Sequence, residues 1–261
     1  MSPPPRYRVA IDSPLASHAT LTLTDALAHY LTQVVRLQVG DTLALFNRTD
    51  GEWRARLTAV QKRSLTLTLE ECLRPATPPR FHLTACFAPI KGGRLETILE
   101  KATELGASVL QPVLTARTIV DKVNLTRAEA IAREAAEQCE RLDWPEIRPP
   151  IKLATLLGQW PAELPLLYGD ESGSAPSIRD LTTTPPPGAP LPAWAVLTGP
   201  EGGFTPEEFA ALRHLEAARG VSLGPRILRA DTALITLCAT TLLAWGDWQE
   251  RPRFPLFGAP Q

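Results

Sequence analysis

Two glycine-rich stretches hold the residues best suited to chemistry in this chain: LTGPEGGF at 197–204 and SLGPRILRADTA at 222–233. Glycines between an apolar run and a helical one let backbone amides approach a ligand closely. A polyphosphate loop would need a lysine, and the first stretch carries Glu201 instead. No G-x-x-x-x-G-K-[ST] is present, and the first strand of the alternating region leads into PIKGGRLE rather than G-x-G-x-x-G. The two loops therefore suit a ligand without phosphates, bound through backbone groups. Its wall would be Leu197, Thr198, Gly199, Pro200, Glu201, Gly202 and Gly203 on one side. Leu223, Gly224, Ile227, Leu228 and Arg229 would face them. Cys72, Cys86, Cys139 and Cys238 form no CxxC pair, so neither a zinc site nor a disulfide framework is expected, and no metal. None is placed as a nucleophile.

Each candidate has a plainer reading beside the functional one. Glu201 either favours the N-terminus of the next helix or walls the pocket as a carboxylate. Arg226 and Arg229 are either a surface pair or, Arg229 first, contacts to the bound ligand. Asp231 reads as an acid in the first turn of the last helix. Lys91 and Arg94 sit at a helix start, where a cation opposes the helix dipole. Lys101 and Glu104 read as solvated surface or an intersubunit pair. Gln138 and Arg141 share a helical spacing that fits dimer packing or RNA contact. His29 is read as a surface histidine rather than a base.

The elements that must position these residues follow from periodicity. TDALAHYLTQVVRL places Leu27, Leu31, Val34 and Val35 on one helical face with Thr24 as N-cap. The next stretch, to about residue 73, alternates apolar and polar residues around Gly40-Asp41 and Asp50-Gly51, predicting a β-meander of about four strands. RPATPPR at 74–80 reads as a linker. Strands and helices then alternate: FHLTACFAPI, RLETILEKATELGA stopped by Gly106, SVLQPVLT, and TRAEAIAREAAEQCERL opened by a Thr126–Glu129 capping box. LPLLYGD and AWAVLTG are strands separated by a long surface loop at 171–193. TPEEFAALRHLEA is a helix with Thr205 at N-cap, Pro206 at N1 and Glu208 at N3. A short strand, GVSLG, precedes an apolar helix from Ala230 through Trp245. This alternation predicts a mostly parallel, helix-flanked sheet, with ligands at the C-terminal strand ends.

Composition bounds the class. In 261 residues, 44% are apolar and 21% charged, as in a globular protein of one large or two ordinary domains. No apolar run approaches the roughly 18 residues of a membrane span. MSPPPRYRVAIDS lacks the apolar core of a secretory signal, so a cytoplasmic location is expected. The net charge of −1 hides an asymmetry. Residues 1–80 carry ten Lys and Arg against seven Asp and Glu, which is compatible with an RNA contact there.

LTGPEGGFTPEE followed by LGPRILRADTA resembles the signature of the RsmE family of SPOUT methyltransferases, which methylate N3 of a uridine in 16S ribosomal RNA. HYLTQVVRLQVGDTLALF, KGGRLETILEKATELGASVLQPV and AREAAEQCERLDWPEI extend the resemblance over nearly the whole chain, in the same order. Ala230-Asp231 departs from the family's usual Thr-Glu and shortens the acid's reach. The resemblance implies an α/β protein: an N-terminal PUA-like β-barrel, about 1–75, and a C-terminal SPOUT domain, about 80–261. The latter would hold a deep trefoil knot at about 194–245. It further implies S-adenosyl-L-methionine in the knot, a homodimer, and 16S rRNA as partner. Under it Arg229 and Glu201 are the catalytic candidates, with Arg6, His29, Arg36, Arg48, Arg54, Lys91 and Arg94 as RNA contacts. Ribose 2′-O-methylation, or a non-catalytic RNA-binding assembly factor, are the alternatives.

Overall fold

A computed structural model describes residues 5–181 and 193–248, so residues 1–4, 182–192 and 249–261 lie outside the described residues. The chain forms two compact units. One is Met1–Pro78 with Arg133–Trp144, the other Pro79–Ala132 with Pro145–Gln261.

The first unit contains β1 (Arg8–Ala10), β2 (Thr20–Thr24), α1 (Asp25–His29), a π-helical turn (Tyr30–Val34), β3 (Thr42–Asn47), β4 (Gly51–Val60) and β5 (Ser64–Arg74). They build a curled five-stranded sheet in the order β1-β3-β4-β5-β2, with β1 parallel to β3 and the other pairs antiparallel. The meander has three strands rather than four; β1 and β2, from before the helix, complete the sheet. Alternation does what the sequence predicts: Leu43, Leu45, Ala55, Leu57, Leu65, Leu67 and Leu69 are buried in one cluster. Register shifts at three places between β4 and β5 supply the bulges that bend long strands into a curl. Strand β5 runs through Arg74, whose buried guanidinium meets Glu52 at 2.5 Å, so the linker begins only after it.

Two expectations for the first helix need correction. Thr24 occupies the N-cap position but its side chain accepts no capping hydrogen bond. The apolar face does not run Leu27-Leu31-Val34-Val35: the π turn adds a residue, Leu31 is buried, and Val34 is 63% exposed. The unit's second segment is tied in by Arg8. Its Nη1 donates to the carbonyls of Ala136 and Glu137 (3.2 and 2.8 Å) and its Nη2 to that of Arg141 (2.8 Å).

The second unit contains β6 (His82–Phe87), α2 (Gly93–Glu104), β7 (Ala107–Leu114), α3 (Leu125–Gln138), β8 (Glu146–Ile147), β9 (Ile151–Lys152), α4 (Leu153–Gly158), β10 (Leu166–Gly169), α5 (Ile178–Leu181), β11 (Ala193–Thr198), α6 (Pro206–His214), β12 (Ala218–Val221) and α7 (Ala230–Trp245). The last half of α3 belongs to the first unit. The strands are parallel, ordered β12-β10-β11-β6-β7-β8, with β9 beside β7. The cap of α3 is Asn124, whose Oδ1 accepts from the Arg127 amide at 3.1 Å, not Thr126. The last strand lies at ARGV rather than GVSLG, and the short elements between 146 and 158 had no periodic signal. The α6 capping box forms as expected: Thr205 Oγ1 accepts from the Glu208 amide (3.2 Å) and Glu208 Oε2 from the Thr205 amide (2.9 Å).

Side chains alternate across this sheet. Leu83, Ala85, Leu167, Trp194 and Val196 pack with α2 and α7 on one face. Cys86, Leu166, Tyr168, Ala195 and Leu197 pack with α4 and α6 on the other. The crossover from β6 thus uses one face and that from β11 the other. The pair β6/β11 is where the connections diverge, the switch point at which open α/β sheets bind ligands.

Candidate functional site

Loops leaving the C-terminal ends of β6, β7, β10, β11 and β12 surround that switch point. The loop after β11 begins with Thr198, 3% exposed, whose Oγ1 has no hydrogen-bond partner among the described residues. A buried hydroxyl left unpaired costs stability, and Thr241 Oγ1 and Trp245 Nε1 on α7 share that condition. Pro200 to Gly203 close a turn through a Gly203 amide to Pro200 carbonyl bond of 2.9 Å. Glu201 and Gly202 stand exposed at its tip, and Gly203 has φ +67°.

Each glycine of this loop answers to a protein neighbour. A Cβ on Gly199 would lie 3.3 Å from the Phe204 ring, and one on Gly202 would lie 3.3 Å from Arg117 Cδ. One on Gly203 would sit 2.5 Å from Glu171 Oε1. Arg117 and Glu171 come from the loops after β7 and β10, and the sequence reading singled out neither. The only hint in the sequence is that both sit one to three residues beyond a strand end.

The loop after β12 is anchored by β10's connection. The Ser222 amide donates to Pro176 O (2.9 Å), the Ile178 amide to Ser222 O (3.1 Å) and the Asp170 amide to Val221 O (2.9 Å). The sequence reading took this region as surface loop only. Asp170 is buried. Its burial acts to raise the carboxyl pKa, but bonds from the Ser172 hydroxyl and amide and the Arg213 guanidinium outweigh that and hold it below the ordinary value. Ile227 is 93% exposed, and Leu223 packs partly against the sheet core. Arg229 is the N-cap of α7, exposed, and Asp231 accepts the Thr232 amide at 3.0 Å in that helix's first turn. Gly224 has φ +105° beside exposed Arg226.

The structure brings Arg94 and Glu201 together. Arg94 Nη1 lies 4.0 Å from Glu201 Oε1 across the switch point, both side chains being partly exposed. Lys91 is exposed, with no ion-pair partner among the described residues. Leu197 contributes no side chain to the loop, because that side chain belongs to the α4/α6 core. Lys101 is held by Glu100 and Glu104, both at 2.8 Å, and Arg141 by Asp143 at 3.1 Å.

Among the expected RNA contacts in the first unit, Arg54 is corrected. It is buried and bound to Glu71 at 2.8 Å, because β4 directs it across β5. Arg48 stays exposed but donates to the Trp144 carbonyl (3.0 Å) and stands over its ring. Arg6, His29 and Arg36 are exposed, Arg36 with φ +63°. Lys62 and Arg63, at the β4–β5 turn, are exposed as well. Among the described residues no group of three His, Cys, Asp or Glu stands together to hold a metal, and no helix is long and apolar enough to cross a membrane.

Comparison with known proteins adds independent findings. A family model described as an RNA methyltransferase domain matches residues 77–242, and one described as an RNA methyltransferase PUA domain matches 23–70. The ribosomal RNA small subunit methyltransferase E of Rickettsia conorii is 34% identical over 255 residues, covering 93% of this chain and 98% of that protein. The Synechocystis protein of the same name is 38% identical over 238 residues, covering 87% of this chain and 74% of that one. Among solved structures, the Neisseria gonorrhoeae ribosomal RNA small subunit methyltransferase E bound to S-adenosyl methionine superposes with TM-score 0.81. It is 27% identical and covers 92% of this chain and 98% of that one. A Legionella pneumophila methyltransferase in complex with SAM gives TM-score 0.81 at 27% identity, covering 91% and 97%.

Proposed function

The chain belongs to the RNA methyltransferase family whose relatives are named ribosomal RNA small subunit methyltransferase E, and from that premise we propose that it methylates N3 of one uridine in 16S ribosomal RNA. It is an S-adenosylmethionine-dependent RNA methyltransferase with a PUA domain. The observation that carries the finer reading is the pair of phosphate-free glycine loops at the switch point, with the unpartnered Thr198 hydroxyl between strand and loop.

The residues present fit the donor. The Thr198 hydroxyl, the exposed turn at Glu201 and Gly202, and the apolar Leu223 and Ile227 would hold it, and Glu171 and Glu201 suit its positive charge. When bound, S-adenosylmethionine supplies an electrophilic methyl on a sulfonium. Everything else falls to the chain. Uracil N3 is a poor nucleophile while protonated, so a base must accept its proton and a cation must stabilise the charge spread over O2 and O4. Glu201 is the acceptor in this reading. At 4.0 Å, Arg94 steers its carboxylate without binding it tightly. Arg229, exposed at the start of α7, is the stabilising cation.

The same reading includes three finer statements. Arg6, His29, Arg36, Lys91 and Arg94 contact rRNA, supported by their exposure. The segment at about 194–245 is threaded as a trefoil knot. That is supported by β11 lying between β10 and β6 while α7 returns from the edge strand β12 to the α2 face. The enzyme acts in the cytoplasm and as a homodimer, the latter supported by Leu243 on α7, which is 63% exposed. The test is nucleoside mass spectrometry of 16S rRNA from a strain lacking the gene. Loss of N3-methyluridine, restored by the wild-type gene, is expected. Loss of a ribose-methylated nucleoside instead, or no loss, overturns the reading.

A further inference from the structure

We propose that Arg117, on the loop after β7, is a positioning residue for the donor loop 199–204, setting the turn from which Glu201 projects; this rests on the reading of that loop given above. Strand β6 separates β7 from β11 in the sheet, so Arg117 reaches across the end of β6 to a loop 85 residues away in sequence. Its Nη1 donates to the Gly202 carbonyl at 2.7 Å and, more weakly, to the Phe204 carbonyl at 3.4 Å. Gly202 is the third residue of the turn closed by Gly203 and Pro200, and Glu201 is the second. Fixing the Gly202 carbonyl fixes the peptide plane that follows it, and with the Pro200–Gly203 bond it leaves the turn one orientation.

Three further observations support a built arrangement. The aliphatic stem of Arg117 lies flat on Gly202, since a Cβ there would be 3.3 Å from Cδ and 3.4 Å from Cβ of the arginine. The neighbouring Ala116 amide donates to Glu208 Oε1 at 2.7 Å, while the other Glu208 oxygen closes the α6 capping box. Arg117's own loop is fixed in turn: the Thr115 amide donates to Thr118 Oγ1 (2.9 Å), and the two threonine hydroxyls are 2.9 Å apart. An alanine at 202 would press on this arginine stem, which would have to give by a few tenths of an ångström.

The test uses the full-length protein and its Arg117→Ala, Arg117→Lys, Gly202→Ala and Arg117→Ala/Gly202→Ala variants. Calorimetric titration with S-adenosylhomocysteine gives donor-site affinity, and steady-state kinetics on small ribosomal subunits give KM for RNA and kcat. Loss of a charge-assisted bond to an exposed carbonyl predicts about tenfold weaker binding in Arg117→Ala, with RNA KM and melting temperature unchanged. Arg117→Lys, which keeps one donor, recovers most of it, and the double variant binds no more weakly than Arg117→Ala alone. A raised RNA KM at unchanged donor affinity makes Arg117 a phosphate contact and overturns the proposal. So does a lowered melting temperature that Arg117→Lys does not restore. Wild-type protein that binds no S-adenosylhomocysteine removes the donor-loop reading itself, and the proposal with it.

Discussion

At the residue scale, Thr198 is the most informative atom group in the site. Its hydroxyl is buried at the end of β11 with no partner among the described residues, and in the proposed function it bonds the donor. Thr198→Val keeps the shape and removes the hydroxyl. The expected result is a melting temperature that is unchanged or higher, with S-adenosylhomocysteine bound several-fold more weakly, an effect of about 1 kcal/mol for one neutral hydrogen bond. Unchanged affinity takes Thr198 out of the donor site. Glu201 separates from it kinetically. Glu201→Gln keeps the turn and removes the proposed proton acceptor, so kcat should fall roughly 100-fold with affinity for S-adenosylhomocysteine, which lacks the sulfonium charge, nearly kept. A normal kcat removes Glu201 from proton transfer. Both residues were legible in LTGPEGGF, because glycines, an acid and a strand end occur together there. Arg117 and Glu171 were not. They reach the loop only because the topology brings β7 and β10 to the same sheet edge, and nothing local to their own sequence carries that fact.

At the element scale, period and cap signals decided how much could be read. Helix α7 was legible to its ends, since sixteen residues of uninterrupted helical pattern begin after a polar loop and end before Gly246. The α6 capping box was legible because its geometry is local. The first helix was misread because a π turn breaks the 3.6-residue period, and no composition signal marks where an extra residue enters. Glycines in the first unit show a similar contrast. Gly40 and Gly51 both have positive φ, +101° and +82°. A Cβ on Gly40 meets nothing within 4 Å, whereas one on Gly51 overlaps the Arg74 carbonyl and lies 2.6 Å from the Ala76 amide nitrogen. Gly40→Ala should cost only the left-handed conformation, about 1–2 kcal/mol. Gly51→Ala must also push the end of β5 away, and with it the Arg74–Glu52 pair, so urea denaturation should show a clearly larger loss. Equal losses would mean that the strand end yields freely.

At the scale of the whole molecule, net charge says little and the pairing of charges says more. The first eighty residues owe their basic excess to ten Lys and Arg. Four of these arginines are spent inside the unit: Arg8 and Arg74 converge on Glu52, Arg54 binds Glu71, and Arg56 binds Glu70. A count from sequence cannot tell a spent cation from an available one: Arg54 is buried against Glu71, while Lys62 and Arg63 are exposed. Exposed Arg36 and buried Arg54 therefore make a controlled pair. Each phosphate contact to single-stranded RNA contributes about 0.7 to the slope of log affinity against log salt concentration. Arg36→Ala should weaken binding to small ribosomal subunits, lower that slope by about that amount, and leave the melting temperature in place. Arg54→Ala removes a cation of the same charge but empties a buried position on β4 and breaks the pair with exposed Glu71. It should lower the melting temperature and leave the salt slope unaltered. Filter binding over a salt series, with thermal melts of both variants, separates the cases. Equal slopes for wild type and Arg36→Ala would move the RNA face elsewhere on the unit, with the β4–β5 turn at Lys62 and Arg63 the next surface to test.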